Sequence, residues 1–271
     1  MAASIGGASM TALGRWISQA RAILDHIGDT QTGVIEEVAR LFADAIAAGG
    51  LVHLFGSGHS RIPVEEMFPR YGSFPGFHPM VELSMTFHTE VVGTNGQPQA
   101  MFIERVEGLA EVILSGFEFG AHDVMMVFSA SGRAAVPVEI ALGSQQRGLP
   151  VVAVTSLAES RALPATHPSG WRLFEIADVV IDIGTPVGDA LVTLDGLAHP
   201  VGPGSTLANA AVVNEIKVRT AELLVERGSM PPVLTAASLV GDEESRRLFT
   251  EAYNEHARRL AVILVREDPA R

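Results

Sequence analysis

Two short loops of this sequence carry the residue types with which proteins hold anions. The first, residues 56–60 (GSGHS), follows the mostly apolar run 51–55, and the second, residues 129–133 (SASGR), follows residues 123–128 (DVMMVF). Both contain glycine and serine, and a segment with helical character follows each of them. Backbone N–H groups of such turns and the N-terminus of the next helix bind phosphate groups in parallel α/β proteins. The two loops therefore predict an anion-binding site.

A pair of carboxylates stands close to the first loop. Glu65 and Glu66 lie on a helix predicted from about residue 62 to residue 71. Neighbouring residues on a helix point about 100° apart, so one carboxylate can face a ligand while the other faces solvent or a partner. A carboxylate whose pKa is tuned by its surroundings can take a proton from a carbon next to a carbonyl group. The ordinary alternative is a solvated carboxylate pair.

Other residues could serve as the acid or the base. The segment VELSMTFHTE carries Glu82 and His88, and His88 could reach the site from its own or a neighbouring subunit. A structural histidine is the ordinary alternative. Glu215 lies on a long predicted helix, where an ion pair with Arg219 four residues later explains it equally well.

A dinucleotide and a metal are the main chemical alternatives. A dinucleotide-binding loop needs Gly-x-Gly-x-x-Gly, but the sixth position here is Arg61, whose bulk opposes close packing of helix on strand. The nine histidines include no pair at H-x-x-x-H or H-E-x-x-H spacing, and there is no cysteine to supply a thiolate. We therefore predict neither a cofactor nor a required metal. For either loop alone, a glycine turn that binds nothing remains the alternative.

The elements that must position these residues alternate between strands and helices. Short apolar runs predict buried strands at 51–55, 123–129, 149–156 and 177–184. Helical periodicity predicts helices at 34–48, 62–71, 101–114, 136–146 and 207–227. This alternation is typical of a parallel sheet. We predict a single α/β domain over residues 1–271, Rossmann-like and doubly wound, with a core at about 34–227 and helical segments at both ends.

Two long segments interrupt the alternation. Residues 156–175 and 184–206 are rich in Gly, Pro, Ser and Thr. Loops of this length inside a compact domain are commonly functional or form interfaces. We therefore expect both segments to contribute to a site or to a subunit contact.

Composition narrows the class of partner. The formal net charge is −12, which disfavours non-specific binding to nucleic acid or to an anionic membrane. The sequence shows no apolar run long enough to span a bilayer and no signal-peptide pattern, so we expect a cytoplasmic protein. Only 18% of residues are charged, against roughly 25% in an average soluble domain. The difference predicts apolar surface that is covered in a homodimer or a higher homo-oligomer.

The two loops in this order make the sequence resemble the sugar isomerase (SIS) domain family of phosphosugar-binding proteins. The resemblance rests on Gly-x-Gly-x-Ser after one strand and Ser-x-Ser-Gly after a later one, and it covers about residues 34–227. Members include phosphoheptose isomerase, N-acetylmuramic acid 6-phosphate etherase and the isomerase half of glucosamine-6-phosphate synthase. HLFGSGHSR, VFSASGRAAVPVEIA and VTSLAES look most like an uncharacterised, etherase-like bacterial branch. The resemblance implies an SIS-type parallel sheet flanked by helices.

The resemblance assigns roles in the second loop. Ser129 and Ser131 match the serines whose hydroxyl groups bind the phosphate of the sugar, with N–H groups near Gly132 and Arg133 completing the site. The usual pattern continues Ser-Gly-x-Thr, and Ala134 stands in place of that threonine. One phosphate ligand is therefore missing, and Arg133 could replace it. A surface arginine at a helix start is the ordinary alternative.

In the first loop, Ser60 matches the serine that faces the sugar, and Gly58 and His59 lie beside it. These roles imply an enzyme that acts on a hexosamine 6-phosphate, N-acetylated at its nitrogen, by removing the proton next to the carbonyl of the ring-opened sugar. Either elimination, as in a lyase, or aldose-ketose isomerisation follows. The alternative is a non-catalytic sugar-phosphate sensor, because SIS domains also occur in regulators. Some phosphoheptose isomerases carry zinc, which the resemblance leaves open.

Overall fold

The computed structural model of the protein describes residues 11–86 and 96–264. Its α-helices are α1 (Arg15–Thr30), α2 (Thr32–Ala47), α3 (Ile62–Met67), α4 (Gly96–Ile103), α5 (Leu109–Leu114), α6 (Ala135–Gln146), α7 (Leu157–Ala162), α8 (Leu173–Ile176), α9 (Ser205–Glu226), α10 (Ala237–Val240) and α11 (Asp242–Leu264). Its strands are β1 (Val52–Gly56), β2 (Phe77–Met80), β3 (Val124–Phe128), β4 (Val151–Thr155), β5 (Val179–Asp182), β6 (Ala190–Val192) and β7 (Val201–Pro203).

Five strands form one parallel sheet in the order β2-β1-β3-β4-β5. The chain places β2 on one side of β1 and then crosses to the other side to add β3, so the winding reverses between β1 and β3. Ligands of open parallel sheets bind beyond the carboxyl ends of the strands at such a reversal. The loops that follow β1 and β3 are the two predicted loops. The predicted doubly wound α/β fold is therefore confirmed, and it brings both loops to the expected position.

Each central strand buries both of its faces under different helices. Met126 and Phe128 of β3 pack in a cluster with residues of α2 and α9, whereas Met125 and Val127 pack in a second cluster with residues of α5 and α6. Alternate residues of a strand point to opposite faces of its sheet. Burial on both faces explains why the strand sequences are continuously apolar rather than alternating.

Two predicted helices differ from the observed ones. The helix expected to continue to residue 71 ends at Met67, because Phe68 precedes Pro69 and a residue before proline avoids the helical conformation. The helix expected over 101–114 is two helices, α4 and α5. Gly108 separates them in the left-handed conformation, with φ 81°. Among residues 11–86 and 96–264, no helix combines the length and the apolar composition needed to cross a membrane.

A buried polar network lies at the opposite end of the sheet, near the amino ends of β1, β2 and β3. Nδ1 of His53 lies 2.8 Å from Nδ1 of His78, and Nε2 of His53 lies 2.9 Å from Oδ2 of Asp123. Asp123 also accepts the backbone N–H groups of Leu51, at 2.8 Å, and Gly120, at 2.7 Å. The network joins three neighbouring strands away from the candidate site.

We expect the free energy of unfolding to fall when the pH drops from 7 to 5. Burial, followed by the neighbouring His53 and His256, lowers the pKa of His78 to about 3, against an ordinary value of 6.5. Between these two pKa values the unfolded chain binds more protons than the folded chain. The stability that His78 provides is therefore complete above about pH 6.5 and is lost as the pH falls toward 3. The loss by pH 5 is roughly 2 kcal/mol.

Urea denaturation at both pH values measures this loss. His78→Asn keeps a polar group beside His53 but cannot bind a proton in this range, so its stability should depend less on pH. His199→Asn, in the exposed connection between β6 and β7, should keep the wild-type dependence. An equal pH dependence in His78→Asn and in the wild type would contradict the assignment to His78.

Candidate functional site

The first loop turns sharply as the chain leaves β1. A Cβ atom at Gly56 would lie 2.1 Å from the backbone oxygen of Ser60, so only glycine permits this turn. The N–H of Ser60 donates to the backbone oxygen of Ser57 at 3.0 Å. Gly58 begins a 3₁₀ turn with φ 56°. His59 is exposed and Ser60 is half-buried, so the predicted sugar-facing residues lie at the surface of the carboxyl edge.

A hydrogen bond within the second loop fixes its conformation. Ser129 is buried, and its Oγ accepts the N–H of Gly132 at 3.1 Å. Gly132 adopts the left-handed conformation with φ 60°, and a Cβ atom there would lie 3.1 Å from Oγ of Ser160. Ser131 and Arg133 on either side are half-buried. Of the two predicted phosphate-binding serines, Ser129 thus also shapes the loop, while Ser131 faces an open cleft.

This cleft of about 440 Å³ opens beside the second loop. Its volume falls in the range of small-molecule sites, roughly 300–1,000 Å³. One wall comes from the loop and the start of α6, and the others come from the turn after α4 and from the segment between α7 and α8. The lining residues are Glu104, Arg105, Glu107, Ser131, Arg133, Ala134, Ala135, Thr166 and His167.

Glu104, which the sequence analysis missed, connects the two loops. Its Oε2 accepts the hydroxyl of Ser57 in the first loop at 2.8 Å. Its backbone oxygen accepts the N–H of Val136, in the first turn of the helix that follows the second loop, at 3.0 Å. Glu104 therefore joins the first loop, through its half-buried carboxylate, to the start of α6, through its backbone. No motif marks this residue, because its position depends on the path of the chain after α4.

The predicted carboxylates of α3 are not among the residues that line this cleft. Glu65 is exposed and forms an ion pair with Arg61. Glu66 is half-buried, pairs with Arg70 and accepts Nδ2 of Asn214 at 2.9 Å. Burial raises the pKa of Glu66, but the hydrogen bonds from Asn214 and Arg70 more than offset it, and the pKa lies below its ordinary value. Glu66 is thus ionised at neutral pH, and its carboxylate is already bound by Arg70 and Asn214.

Lys217 of α9 completes the surroundings of Glu66. The side chain is buried, and its Nζ donates to the backbone oxygen of Glu66 at 2.8 Å and to Oδ1 of Asn214 at 3.3 Å. Burial lowers the pKa of this amine. These contacts fix α3 against the long helix α9.

The other candidate acids and bases are scattered. His88 lies outside the described residues. Glu82 is half-buried at the carboxyl end of β2, on the same edge of the sheet as both loops. Glu215 is exposed on α9, and Arg219 pairs with Glu36 at 2.6 Å instead of with Glu215. Within the described part of the chain, no three histidine or acidic side chains lie close enough together to share a metal ion.

Comparisons with known proteins agree with this architecture. A family model described as the SIS domain matches residues 15–156, more than half of the chain. A UPF0309 protein of Oceanobacillus iheyensis is 31% identical over 246 residues, covering 91% of this chain and 98% of that protein. A UPF0309 protein of Halalkalibacterium halodurans is 34% identical over 230 residues, covering 84% and 93%.

Among solved structures, a phosphoheptose isomerase from Francisella tularensis matches with a TM-score of 0.50 and 12% identity, over 80% of this chain and 100% of that chain. At this identity the likeness concerns the fold. The family model, which matches more than half of the chain, shows that the chain belongs to the SIS domain family.

Proposed function

We propose that the protein is an enzyme that acts on a hexosamine 6-phosphate, with the phosphate at the second loop and the sugar over the first. The observation that carries this proposal is the position of Glu104, which accepts a hydroxyl of the first loop and lines the cleft beside the second. Ser131 and the guanidinium of Arg133 line the same cleft and can donate to a phosphate. In this proposal the carbonyl end of the ring-opened sugar lies toward the carboxylate.

The reaction begins with transfer of the proton on the nitrogen-bearing carbon to a base. The electron pair of the broken C–H bond forms an enolate with the neighbouring carbonyl. Return of a proton to the former carbonyl carbon isomerises the sugar when the enolate oxygen also gains a proton and the nitrogen loses one, which gives the ketimine, the nitrogen analogue of a ketose. Expulsion of the substituent on the next carbon along the chain, with its bonding electrons, instead makes the protein a lyase. Both outcomes share the first step, so both allow solvent hydrogen to enter at that carbon.

We propose Glu104 as the base, beside the candidates predicted from the sequence. Its position between the loops favours it, whereas Glu66 is tied to Arg70 and Asn214. Glu66, Glu65 and His88 stay predictions for this role. Glu66 would act on a ligand that reaches α3, for example one bound partly by a second subunit.

A homo-oligomer is the proposed assembly. Val218 and Val225 lie seven residues apart on α9 and are 68% and 63% exposed. Exposed apolar side chains on one face of a helix support a subunit contact that covers this face. Sedimentation at micromolar concentration tests the proposal, and a monomer that retains activity would contradict it.

Incubation of N-acetylglucosamine 6-phosphate with the protein in heavy water tests the enzyme proposal. We expect proton NMR to show loss of the signal at the nitrogen-bearing carbon, or the appearance of an isomerised or eliminated product. N-acetylglucosamine without phosphate is the control and should stay unchanged. If hexosamine 6-phosphates bind at saturation and none exchanges, isomerises or eliminates, the protein is a sensor rather than an enzyme.

A further inference from the structure

The segment 164–173, between α7 and α8, packs along the second loop. Nε of Arg133 donates to the backbone oxygen of Pro164 at 2.8 Å. Oγ1 of Thr166 donates to the backbone oxygen of Arg133 at 2.6 Å. The N–H of Leu173 donates to the backbone oxygen of Gly132 at 2.8 Å. Two consecutive loop carbonyls are thus held by this segment, which belongs to one of the long polar stretches seen in the sequence.

The segment 164–173 is itself anchored. His167 and Glu139 are largely buried, with Nε2 of the histidine 3.2 Å from Oε1 of the carboxylate on α6. The backbone N–H of Ser169 donates to Nδ1 of His167 at 3.2 Å, which leaves the imidazole hydrogen on Nε2 for Glu139. Arg172 forms an ion pair with Glu175 of α8 at 2.6 Å. These contacts hold Thr166 in place over the loop.

The direction of the carbonyl bonds decides where the loop N–H groups point. In a trans peptide, the C=O of one residue and the N–H of the next point in opposite directions. Because the carbonyls of Gly132 and Arg133 point toward the segment 164–173, the N–H groups of Arg133 and Ala134 point away from it. Among the described residues, neither of these N–H groups has a hydrogen-bond acceptor.

We propose that Thr166 is a positioning residue that turns the N–H of Ala134 into a donor for a phosphate monoester, beside the N–H of Arg133, which the bond from Leu173 to the Gly132 carbonyl orients. The inference rests on the proposed function of the second loop. The bond to Pro164 also occupies Nε of Arg133 and leaves its two terminal nitrogens for the cleft. A phosphate dianion accepts several such donors at once. The segment 164–173 thereby orients the N–H donors of the loop. These donors matter more here because Ala134 stands where the family has a threonine hydroxyl.

The test compares three variants in calorimetric titrations with N-acetylglucosamine 6-phosphate. Thr166→Val removes the hydroxyl donor at nearly constant volume and should weaken binding about tenfold, the usual scale for one lost hydrogen bond. Thr166→Ser keeps the donor and should bind like the wild type. Thr193→Val, on an exposed threonine of the β6–β7 connection, is the matched control and should also bind like the wild type.

A second readout needs no ligand. The ¹⁵N–¹H resonance of Ala134 should shift in Thr166→Val and stay in place in Thr166→Ser, because Thr166 bonds the carbonyl of the same peptide group. An unchanged resonance in Thr166→Val, or a shifted resonance with unchanged affinity, would overturn the positioning role. If Ser131→Ala weakens binding and Thr166→Val does not, the phosphate site stands and the positioning role fails. If the wild type binds no sugar phosphate, the proposed function fails and the positioning role fails with it.

Discussion

Replacing Glu104 by glutamine should slow hydrogen exchange or product formation from a hexosamine 6-phosphate by about 10²-fold or more, the usual scale for losing a general base. The amide has nearly the same shape as the carboxylate and can still accept the hydroxyl of Ser57, which lies 2.8 Å from Oε2. It cannot take up a proton. Phosphate affinity should change little, because the second loop keeps all of its own donors.

Initial rates from proton NMR, at saturating sugar phosphate, measure the effect. Glu107→Gln is the matched control, because Glu107 lines the same cleft but is exposed at the surface. It should keep most of the activity. Full activity in Glu104→Gln would contradict our assignment of the base. A slow Glu66→Gln variant beside a fast Glu104→Gln variant would transfer the role to α3, and full activity in both would direct the search to His88, Glu82 or Glu215.

Replacing Gly56 by alanine should damage the first loop and the site together. The added methyl group would stand 2.1 Å from the backbone oxygen and 2.6 Å from the carbonyl carbon of Ser60. Backbone atoms cannot yield as a flexible side chain can, so the loop must leave its observed path. We expect a loss of about 2 kcal/mol or more in the free energy of unfolding, as for other severe steric changes in a core, and sugar-phosphate binding too weak to measure.

Urea denaturation and calorimetry test both parts of this prediction. Gly28→Ala is the matched control, because Gly28 lies on α1 and an added Cβ atom meets nothing within 4 Å. It should leave binding unchanged and should stabilise the helix slightly. Wild-type stability and affinity in Gly56→Ala would show that the chain does not make this tight turn.

The parts of the fold that depend on local sequence could be predicted. The central strands are buried on both faces, so each reads as a short apolar run, and the glycines and serines after β1 and β3 mark the loops. The predicted length of α3 was wrong, although the reason for the early end of this helix is visible in the sequence, since Pro69 follows Phe68 directly. The interruption at Gly108 was also missed, because a single glycine within an apolar pattern does not by itself end a helix.

The parts of the site that depend on distant contacts could not be predicted. Glu104 meets Ser57 across 47 positions of sequence, and Thr166 meets the carbonyl of Arg133 across 33. Neither pair has a characteristic spacing. The sequence did indicate that residues 156–175 form an unusually long polar segment, which is the region that covers the second loop. Only the folded chain shows which of its side chains touches the loop.

A calorimetric comparison of N-acetylglucosamine 6-phosphate with N-acetylglucosamine tests the central claim most directly, since the claim is that the second loop holds a sugar by its phosphate. The wild-type protein should bind the phosphorylated sugar at least about 100-fold more tightly, because several charge-assisted hydrogen bonds to the phosphate contribute roughly 1.5–3 kcal/mol each. Ser131→Ala should remove about tenfold of this preference. Equal affinity for the two sugars, across a panel of hexosamines and their 6-phosphates, would contradict the account.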